Sequence, residues 1–200
     1  MADKLKRIDV ALQGGGSHGA FTWGVLERLL EEENLEIVGV SGTSAGAMNA
    51  VALTQGLASG DRGAAQELME RYWTTVAAAA AYSPIRRSFL DRLNGRWSLA
   101  ASPSFILSQY LKQTLSPYQL NPFDFNPLRN IVAECFDFGA VNAGTAPRLF
   151  LGATNVRTGR PKVFRQPDIG VDAVMASACL PFMFKAVEIE GEAYWDGGYM

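Results

Sequence analysis

Three short segments of this 200-residue sequence carry the residue types needed for nucleophilic attack on an acyl group. One is a glycine-rich run at residues 14–19, one surrounds Ser44, and one contains Asp196 followed by two glycines. A serine hydroxyl becomes a nucleophile when a nearby base takes its proton, and the oxyanion that then develops needs N–H donors around it. The three segments could supply the donors, the nucleophile and the base.

The segment Gly42–Gly46 fits the pattern G-x-S-x-G, with Ser44 at its centre and Thr43 and Ala45 beside it. It follows a predicted strand, Glu36–Val40, and precedes a predicted helix of small residues. That placement is typical of a nucleophile elbow, in which flanking glycines allow a strained serine to stand out above the sheet. The nearby helix N-terminus favours a developing anion. Ser44 is therefore the predicted nucleophile, and the alternative is a plain glycine turn capped by a serine.

The glycine-rich run is predicted to form an oxyanion hole, because consecutive glycines leave backbone N–H groups free to converge on an anion. The run also fits G-x-G-x-x-G, a dinucleotide-binding pattern that requires an acidic residue about 20 positions later, at the end of the second strand. That strand ends here in Val40-Ser41-Gly42, and Glu36 lies at its beginning, so the nucleotide hypothesis lacks its specificity residue. A turn needed only for close packing is a further alternative. The predicted oxyanion-hole residues are Gly14, Gly15, Gly16, Ser17, His18 and Gly19.

The serine also needs a base, and the chain contains one histidine, His18, which precedes Ser44. The α/β-hydrolase order of Ser, Asp or Glu, then His could be completed only by a histidine outside this sequence. Asp196 follows two aromatic residues at a predicted strand end and precedes Gly197 and Gly198. A carboxylate that is partly desolvated by aromatic neighbours is a stronger base than one in water. The alternative for Asp196 is an ordinary turn aspartate.

The elements that must position these residues alternate in a regular order. Strand, glycine turn and helix occur twice, which predicts an α/β fold of three layers, α/β/α, with a mostly parallel central sheet. In the first helix, Phe21, Val25 and Leu29 form one predicted stripe, with Leu26 and Leu30 beside it. Residues 82–126 are interpreted as an insertion over the sheet or a lid. The predicted strands are Arg7–Gln13, Glu36–Val40, Arg148–Asn155, Lys162–Arg165, Ala186–Ile189 and Ala193–Trp195, and the predicted helices are Ala20–Glu33, Asp61–Ala81, Pro103–Leu115, Leu128–Phe136 and Ile169–Ala178.

Composition fits one globular domain over residues 1–200, with 48% hydrophobic and 19% charged residues. The net charge of −2 argues against nucleic-acid binding, which normally needs a basic surface. Cys135 and Cys179 lie among apolar residues, so free buried thiols are predicted, with no metal site and no cofactor. The N-terminus has no apolar segment typical of a signal peptide, and no run of about 20 apolar residues occurs. We therefore predict a cytoplasmic protein without a transmembrane segment, either soluble or peripheral at a membrane. The abrupt end at Met200 suggests a longer parent protein.

Together, these motifs resemble those of the patatin-like phospholipases. The glycine-rich run, the elbow Gly42–Gly46 and the Asp196-Gly197-Gly198 segment occur in the family's order. The stretch Ala176–Phe182 is similar to the family's segment shortly before the aspartate, and the resemblance extends over about residues 8 to 198. One position differs from the family: this chain has His18 where the family often carries arginine or lysine. An imidazole can donate a hydrogen bond, but its charge changes near neutral pH.

The resemblance implies a Ser44–Asp196 dyad, with an oxyanion hole from the backbone of Gly15, Gly16 and their neighbours. It also implies hydrolysis of lipid acyl esters through an acyl-enzyme and without a metal. Two other hypotheses remain at this stage: a triad esterase of the α/β-hydrolase class, and a non-enzymatic nucleotide-binding module that uses the glycine-rich run. The expected partner is a lipid or another acyl ester, at a membrane surface or free.

Overall fold

A computed structural model describes residues 5–82, 94–95, 102–143 and 147–200. Six strands form a single sheet: β1 (Lys6–Leu12), β2 (Leu35–Gly42), β3 (Arg148–Asn155), β4 (Pro161–Arg165), β5 (Val187–Ile189) and β6 (Glu192–Asp196). The described helices are α1 (Gly19–Leu30), α2 (Ala45–Ala58), α3 (Arg62–Ala81), α4 (Pro103–Thr114), α5 (Pro117–Leu120), α6 (Pro127–Cys135), α7 (Phe138–Asn142) and α8 (Val171–Ser177). A short 3₁₀ turn at Gly16–His18 lies between β1 and α1, and a second one at Gly197–Tyr199 follows β6.

Strands β1, β2 and β3 are parallel, while β4 and β6 pair with β3 antiparallel and β5 pairs with β6 antiparallel. Ala153 pairs with Lys162 of β4 and also with Asp196 of β6, so β4 and β6 lie on opposite edges of β3. Leu151 likewise pairs with β4 and with Gly42 of β2. It follows that β2 and β6 lie on the same edge of β3 and approach each other end to end, with Gly152 between their ends.

Helix α2 is the centre of the core and is buried along nearly its whole length. It packs against β1, β2 and β3 on one side and against α1 and α3 on the other. Small residues such as Ala47, Ala50 and Gly56 make this close packing possible. Their side chains are short, so elements on every side of the helix can approach its backbone. A buried position also fixes the N-terminus of α2 rigidly at the end of β2.

Helix α1 presents a different face to the core from the one that the sequence predicted. Leu26 and Leu30 are buried and Leu29 packs partly against the core, but Phe21 is 78% exposed and Val25 is 43% exposed. The predicted stripe of Phe21 and Val25 is therefore wrong as a core face. The apolar residues of α1 occupy adjacent stripes, and Gly19 fixes which one faces inward because its backbone packs against α2 and α3.

The prediction of an α/β fold with parallel strands and covering helices is confirmed. The described helices α2 and α8 cover the face of the sheet that carries Leu149 and Leu151. The opposite face exposes Ala11, Ser41 and Val163, so the described residues form two of the three predicted layers. The alternation of exposed and buried residues along β1 is typical of a sheet that is solvated on one face.

Most element boundaries agree with the prediction within three residues, and β3 agrees completely. The short helices α5 and α7 were not predicted. Of the predicted insertion, residues 83–93 and 96–101 lie outside the described residues, and its helix α4 buries none of its side chains. Across the described ranges, no helix combines the length and the apolar character needed to cross a bilayer.

Candidate functional site

The ends of β1, β2 and β6 line an open cavity of about 610 Å³, at the point where β2 and β6 approach each other along β3. The cavity brings together residues from all three motifs that the sequence singled out. It is lined by Leu12, Gln13, Gly14, Gly15, Gly16, Thr43, Ser44, Leu180, Asp196, Gly197 and Gly198. The parallel strands β1 and β2 place their carboxyl ends side by side, and the loops that follow such ends commonly form sites. Strand β6 runs antiparallel to β3 and ends at the same place from the opposite direction.

Ser44 lies at the N-cap of α2 with φ of 56° and ψ of −126°, a conformation that non-glycine residues seldom adopt. A serine at this position usually caps the helix through its hydroxyl, but the Ser44 side chain makes no capping hydrogen bond. Gly42 and Gly46 must both be glycine because there is no room for a side chain at either position. A Cβ on Gly46 would lie 2.0 Å from the carbonyl oxygen of Leu12, and one on Gly42 would lie 2.4 Å from the carbonyl oxygen of Gly46.

Asp196 is the last residue of β6 and is only 4% exposed. Its Oδ1 accepts a hydrogen bond of 2.8 Å from the N–H of Gly198. Its Oδ2 is buried and has no hydrogen-bond partner among the described residues. A buried polar atom without a partner costs free energy, so Oδ2 is a candidate for binding a proton or a substrate group.

The glycine-rich run divides into two parts. Gly14, Gly15 and Gly16 line the cavity, and a Cβ on Gly14 would lie 2.9 Å from the Cβ of Ser44. Within the described part of the chain, the N–H groups of Gly15 and Gly16 donate to no protein acceptor. These N–H groups are therefore available to an anion beside the serine.

The later residues of the run lie away from the cavity. Ser17 and His18 are exposed and are not among the residues that line it. The Nδ1 of His18 lies 3.1 Å from the carbonyl oxygen of Gly15, to which a protonated Nδ1 would donate. Gly19 is buried where α1 crosses α3, and a Cβ there would lie 2.6 Å from the ring of Trp73. Half of the six predicted oxyanion-loop residues thus contact the cavity, and the other three shape the turn or pack the helices.

The structure adds residues that sequence reasoning assigned no part in the site. The Ser177 side chain is fully buried, and its Oγ donates to the carbonyl oxygen of Gly152 and accepts from the N–H of Ser44. Ser177 belongs to the stretch Ala176–Phe182, so the resemblance carried a signal for it. The only indication of Gly152 in the sequence was a glycine within a predicted strand. Such a glycine often marks the close approach of another segment of backbone.

An exposed aromatic pair lies beside the cavity. The rings of Phe182 and Tyr199 are in edge-on contact with their centroids 6.4 Å apart, and the two side chains are 61% and 45% exposed. Phe182 follows the lining residue Leu180 by two positions, and Tyr199 directly follows the lining residue Gly198. The rim of the cavity is therefore apolar on this side.

The two cysteines are free and buried, as the sequence predicted. Burial raises the pKa of the Cys179 thiol to about 11, so the thiol remains protonated at neutral pH. Its Sγ donates to the carbonyl oxygen of Lys185. Among the described residues, no group of three or more His, Cys, Asp or Glu side chains could hold a metal ion.

Comparison with known proteins gives a family and several similar solved structures. The chain matches the family model of the patatin-like phospholipases over residues 10–200. No curated protein matches the chain. The structure of VipD from Legionella pneumophila is similar at 16% identity and a TM-score of 0.49, over 98% of this chain and 46% of that chain. The ExoU–SpcU complex from the type III secretion system of Pseudomonas aeruginosa is similar at 21% identity and a TM-score of 0.46, over 90% of this chain and 37% of that chain. This chain spans less than half the length of either.

Proposed function

This chain belongs to the patatin-like phospholipase family, and from that premise we propose that it is a serine lipid acyl hydrolase with Ser44 as nucleophile and Asp196 as base. One observation carries the proposal. The uncapped hydroxyl of Ser44 and the unpartnered Oδ2 of Asp196 belong to residues that line the same cavity. Acyl transfer requires a nucleophile and a base whose reacting atoms are free of competing hydrogen bonds, and both residues border this cavity.

The proposed reaction has two steps. In the first, Ser44 Oγ attacks the ester carbonyl carbon while its proton passes to Asp196, and the proton then passes to the leaving alcohol as the ester bond breaks. In the second, a water molecule gives a proton to Asp196 and attacks the acyl carbonyl carbon. The bond between the acyl group and Ser44 Oγ then breaks, Asp196 returns the proton to Oγ, and the fatty acid is released. The N–H groups of Gly15 and Gly16 stabilise the oxyanion in both steps.

The apolar rim supports a lipid rather than a small polar ester as the substrate. Phe182 and Tyr199 offer a water-exposed aromatic surface next to the cavity, and covering such a surface with an acyl chain is favourable. The proposed chemistry runs through the Ser44 hydroxyl and the Asp196 carboxylate, whose residues line this cavity.

The two other hypotheses have less support. A triad would need a histidine beside Ser44, and the chain's one histidine has its Nδ1 next to the carbonyl oxygen of Gly15. A dinucleotide module would need an acidic residue at the end of β2, where Ser41 and Gly42 stand. The glycine-rich run instead lies against the elbow of Ser44.

Ser44→Ala tests the proposal. We expect a folded protein without measurable hydrolysis of a p-nitrophenyl acyl ester, because alanine removes the nucleophile. A fluorophosphonate should label the wild type at Ser44 alone. Ser41→Ala is the matched control, since Ser41 lies three residues earlier with its side chain on the exposed face of the sheet, and it should keep wild-type activity. Hydrolysis at a wild-type rate by a folded Ser44→Ala protein would refute the assignment.

A further inference from the structure

The segment Ser177-Ala178-Cys179, at the C-terminal end of α8, contacts the backbone of both proposed catalytic residues. The N–H of Ser44 donates to Ser177 at two atoms, at 3.0 Å to its carbonyl oxygen and at 3.1 Å to its Oγ. The N–H of Asp196 donates at 2.8 Å to the carbonyl oxygen of Cys179. The nucleophile at the N-cap of α2 and the base at the end of β6 are thus held by acceptors two residues apart.

Ser177 also joins this segment to β3, the strand that pairs with both β2 and β6. Its Oγ donates at 2.6 Å to the carbonyl oxygen of Gly152, the residue of β3 that lies between the ends of β2 and β6. Gly197 packs against the same peptide, since a Cβ at Gly197 would lie 2.7 Å from the Gly152 carbonyl oxygen. The hydroxyl of Ser177 is therefore the one side-chain group in the described residues that links the Ser44 backbone to β3 at this point.

We infer that Ser177 is a positioning residue that fixes the distance between Ser44 and Asp196. The inference rests on the proposed function, and it gives a role to the stretch Ala176–Phe182, which the catalytic assignment leaves unused. The backbone of Ser44 is held in a sparsely populated conformation, and such a conformation persists only when surrounding bonds hold it in place. A bifurcated bond to a fully buried serine, itself held by β3, provides that restraint.

Loss of the Ser177 hydroxyl should affect the reactivity of Ser44 more than the binding of substrate. Ser177 is not among the residues that line the cavity, so it does not contact the substrate. A displacement of reacting groups by about 1 Å can cost about a hundredfold in rate. Removal of the Ser177 hydroxyl should therefore lower kcat, by roughly tenfold to a hundredfold, and leave KM within about a factor of two.

The test compares Ser177→Ala with Gln166→Ala. Gln166 makes a similar bridge at the other end of β3, because it accepts from the N–H of Leu149 at 2.9 Å and donates to the carbonyl oxygen of Val141 at 2.6 Å. We expect both variants to lose thermal stability. Only Ser177→Ala should lose kcat and react more slowly with a fluorophosphonate, a small probe that reports the reactivity of Ser44 directly.

The outcomes separate this inference from the proposed function. If wild type and Ser44→Ala are equally active or equally inert towards esters and probe, the proposed function fails. If the wild type is active and a folded Ser177→Ala matches it in kcat and labelling rate, the positioning role is refuted. Equal losses of kcat in Ser177→Ala and Gln166→Ala would also refute it, since general destabilisation would then explain both. If Ser177→Ala does not fold, Ser177→Cys, which keeps a weak donor, should have a lower kcat than the wild type at a similar KM, and a wild-type kcat in that variant would refute the positioning role.

Discussion

At the scale of single residues, the two carboxylate oxygens of Asp196 have different surroundings. Oδ1 is held by the N–H of Gly198, which fixes the orientation of the carboxylate, while Oδ2 is buried without a partner. One oxygen therefore orients the group and the other is free to react. A carboxylate that served only to stabilise a turn would satisfy both oxygens or expose the second to water.

This asymmetry leads to a prediction for Asp196→Asn and His18→Ala. The amide of asparagine cannot accept the serine proton, so Asp196→Asn should lose about as much kcat as Ser44→Ala, since residues that act as a unit fail together. His18 is exposed and lies outside the cavity lining, so His18→Ala should lose less than the roughly 10²–10³-fold that removal of one oxyanion donor costs. Steady-state kinetics on a soluble ester, with circular dichroism as the folding control, measures both. An inactive His18→Ala beside a largely active Asp196→Asn would reverse the two roles.

At the scale of elements, the closest approach in the site lies between the N-terminal turn of α2 and the end of β1. Gly46 is in contact with the carbonyl oxygens of Leu12 and Gln13, so the first turn of α2 lies directly on the strand that leads into the glycine-rich run. Backbone contacts thereby hold the nucleophile and the proposed oxyanion donors at a fixed separation, and one of them is the hydrogen bond from the N–H of Thr43 to the carbonyl oxygen of Leu12.

Gly46→Ala tests this contact. The added methyl group would lie 2.0 Å from the Leu12 carbonyl oxygen, and backbone must move to admit it. We expect a loss of roughly 1–3 kcal/mol in the free energy of unfolding, or more, together with lower activity. Gly24→Ala is the matched control, because a Cβ there meets nothing within 4 Å and alanine favours a helix interior, so stability should stay equal or rise. Urea denaturation of both variants measures the difference, and a Gly46→Ala protein as stable as the wild type would contradict the close approach.

The sequence was most informative where the signal is local. A strand that runs into glycines and then into a helix is defined by neighbouring residues, so β1, β2 and the Ser44 elbow could be predicted from spacing. The buried face of α1 could not, because apolar residues occupy adjacent stripes and only contacts with α2 and α3 select Leu26 and Leu30 over Phe21 and Val25. The parts played by Ser177 and Gly152 depend on strands that meet only in the folded chain.

At the scale of the whole molecule, two buried acidic groups should make stability depend on alkaline pH. Burial raises the pKa of Cys179 to about 11, and it also raises the pKa of the Tyr72 hydroxyl, with Cys135 as a second cause. In the unfolded chain these groups lose their protons at ordinary values, so above pH about 9 the unfolded state binds fewer protons than the folded state. Their contribution to stability is complete below that pH and is lost as the pH rises towards the folded-state pKa values.

The free energy of unfolding should therefore fall between pH 9 and pH 11, as urea titrations at several pH values would measure. Tyr72→Phe and Cys179→Ala remove the ionisable groups, and the double variant should show a smaller fall over this range. An equally steep fall in the double variant would assign the alkaline sensitivity to other groups.

The exposed rim gives a second prediction at this scale. Phe182→Ser should reduce kcat/KM for a long-chain acyl ester more than for a butyryl ester, because the longer chain reaches beyond the cavity to the aromatic pair. Leu5→Ser is the control: Leu5 is comparably exposed but precedes β1 at the opposite end of the sheet from the cavity. A chain-length profile that does not differ between Phe182→Ser and the wild type would show that the pair takes no part in substrate binding.

The meeting of β2 and β6 on one edge of β3 also sets the order in which the site can be assembled during synthesis. Chains emerge from the ribosome N-terminus first, so the elbow of Ser44 and the glycine-rich run are made before Asp196. The strand that carries Asp196 is positioned by pairing with β3. A nascent chain would therefore carry its nucleophile without the base that activates it until β6 has been made. Under the proposed mechanism, a lipid hydrolase built in this order stays inert towards the membranes around it until β6 has joined the sheet.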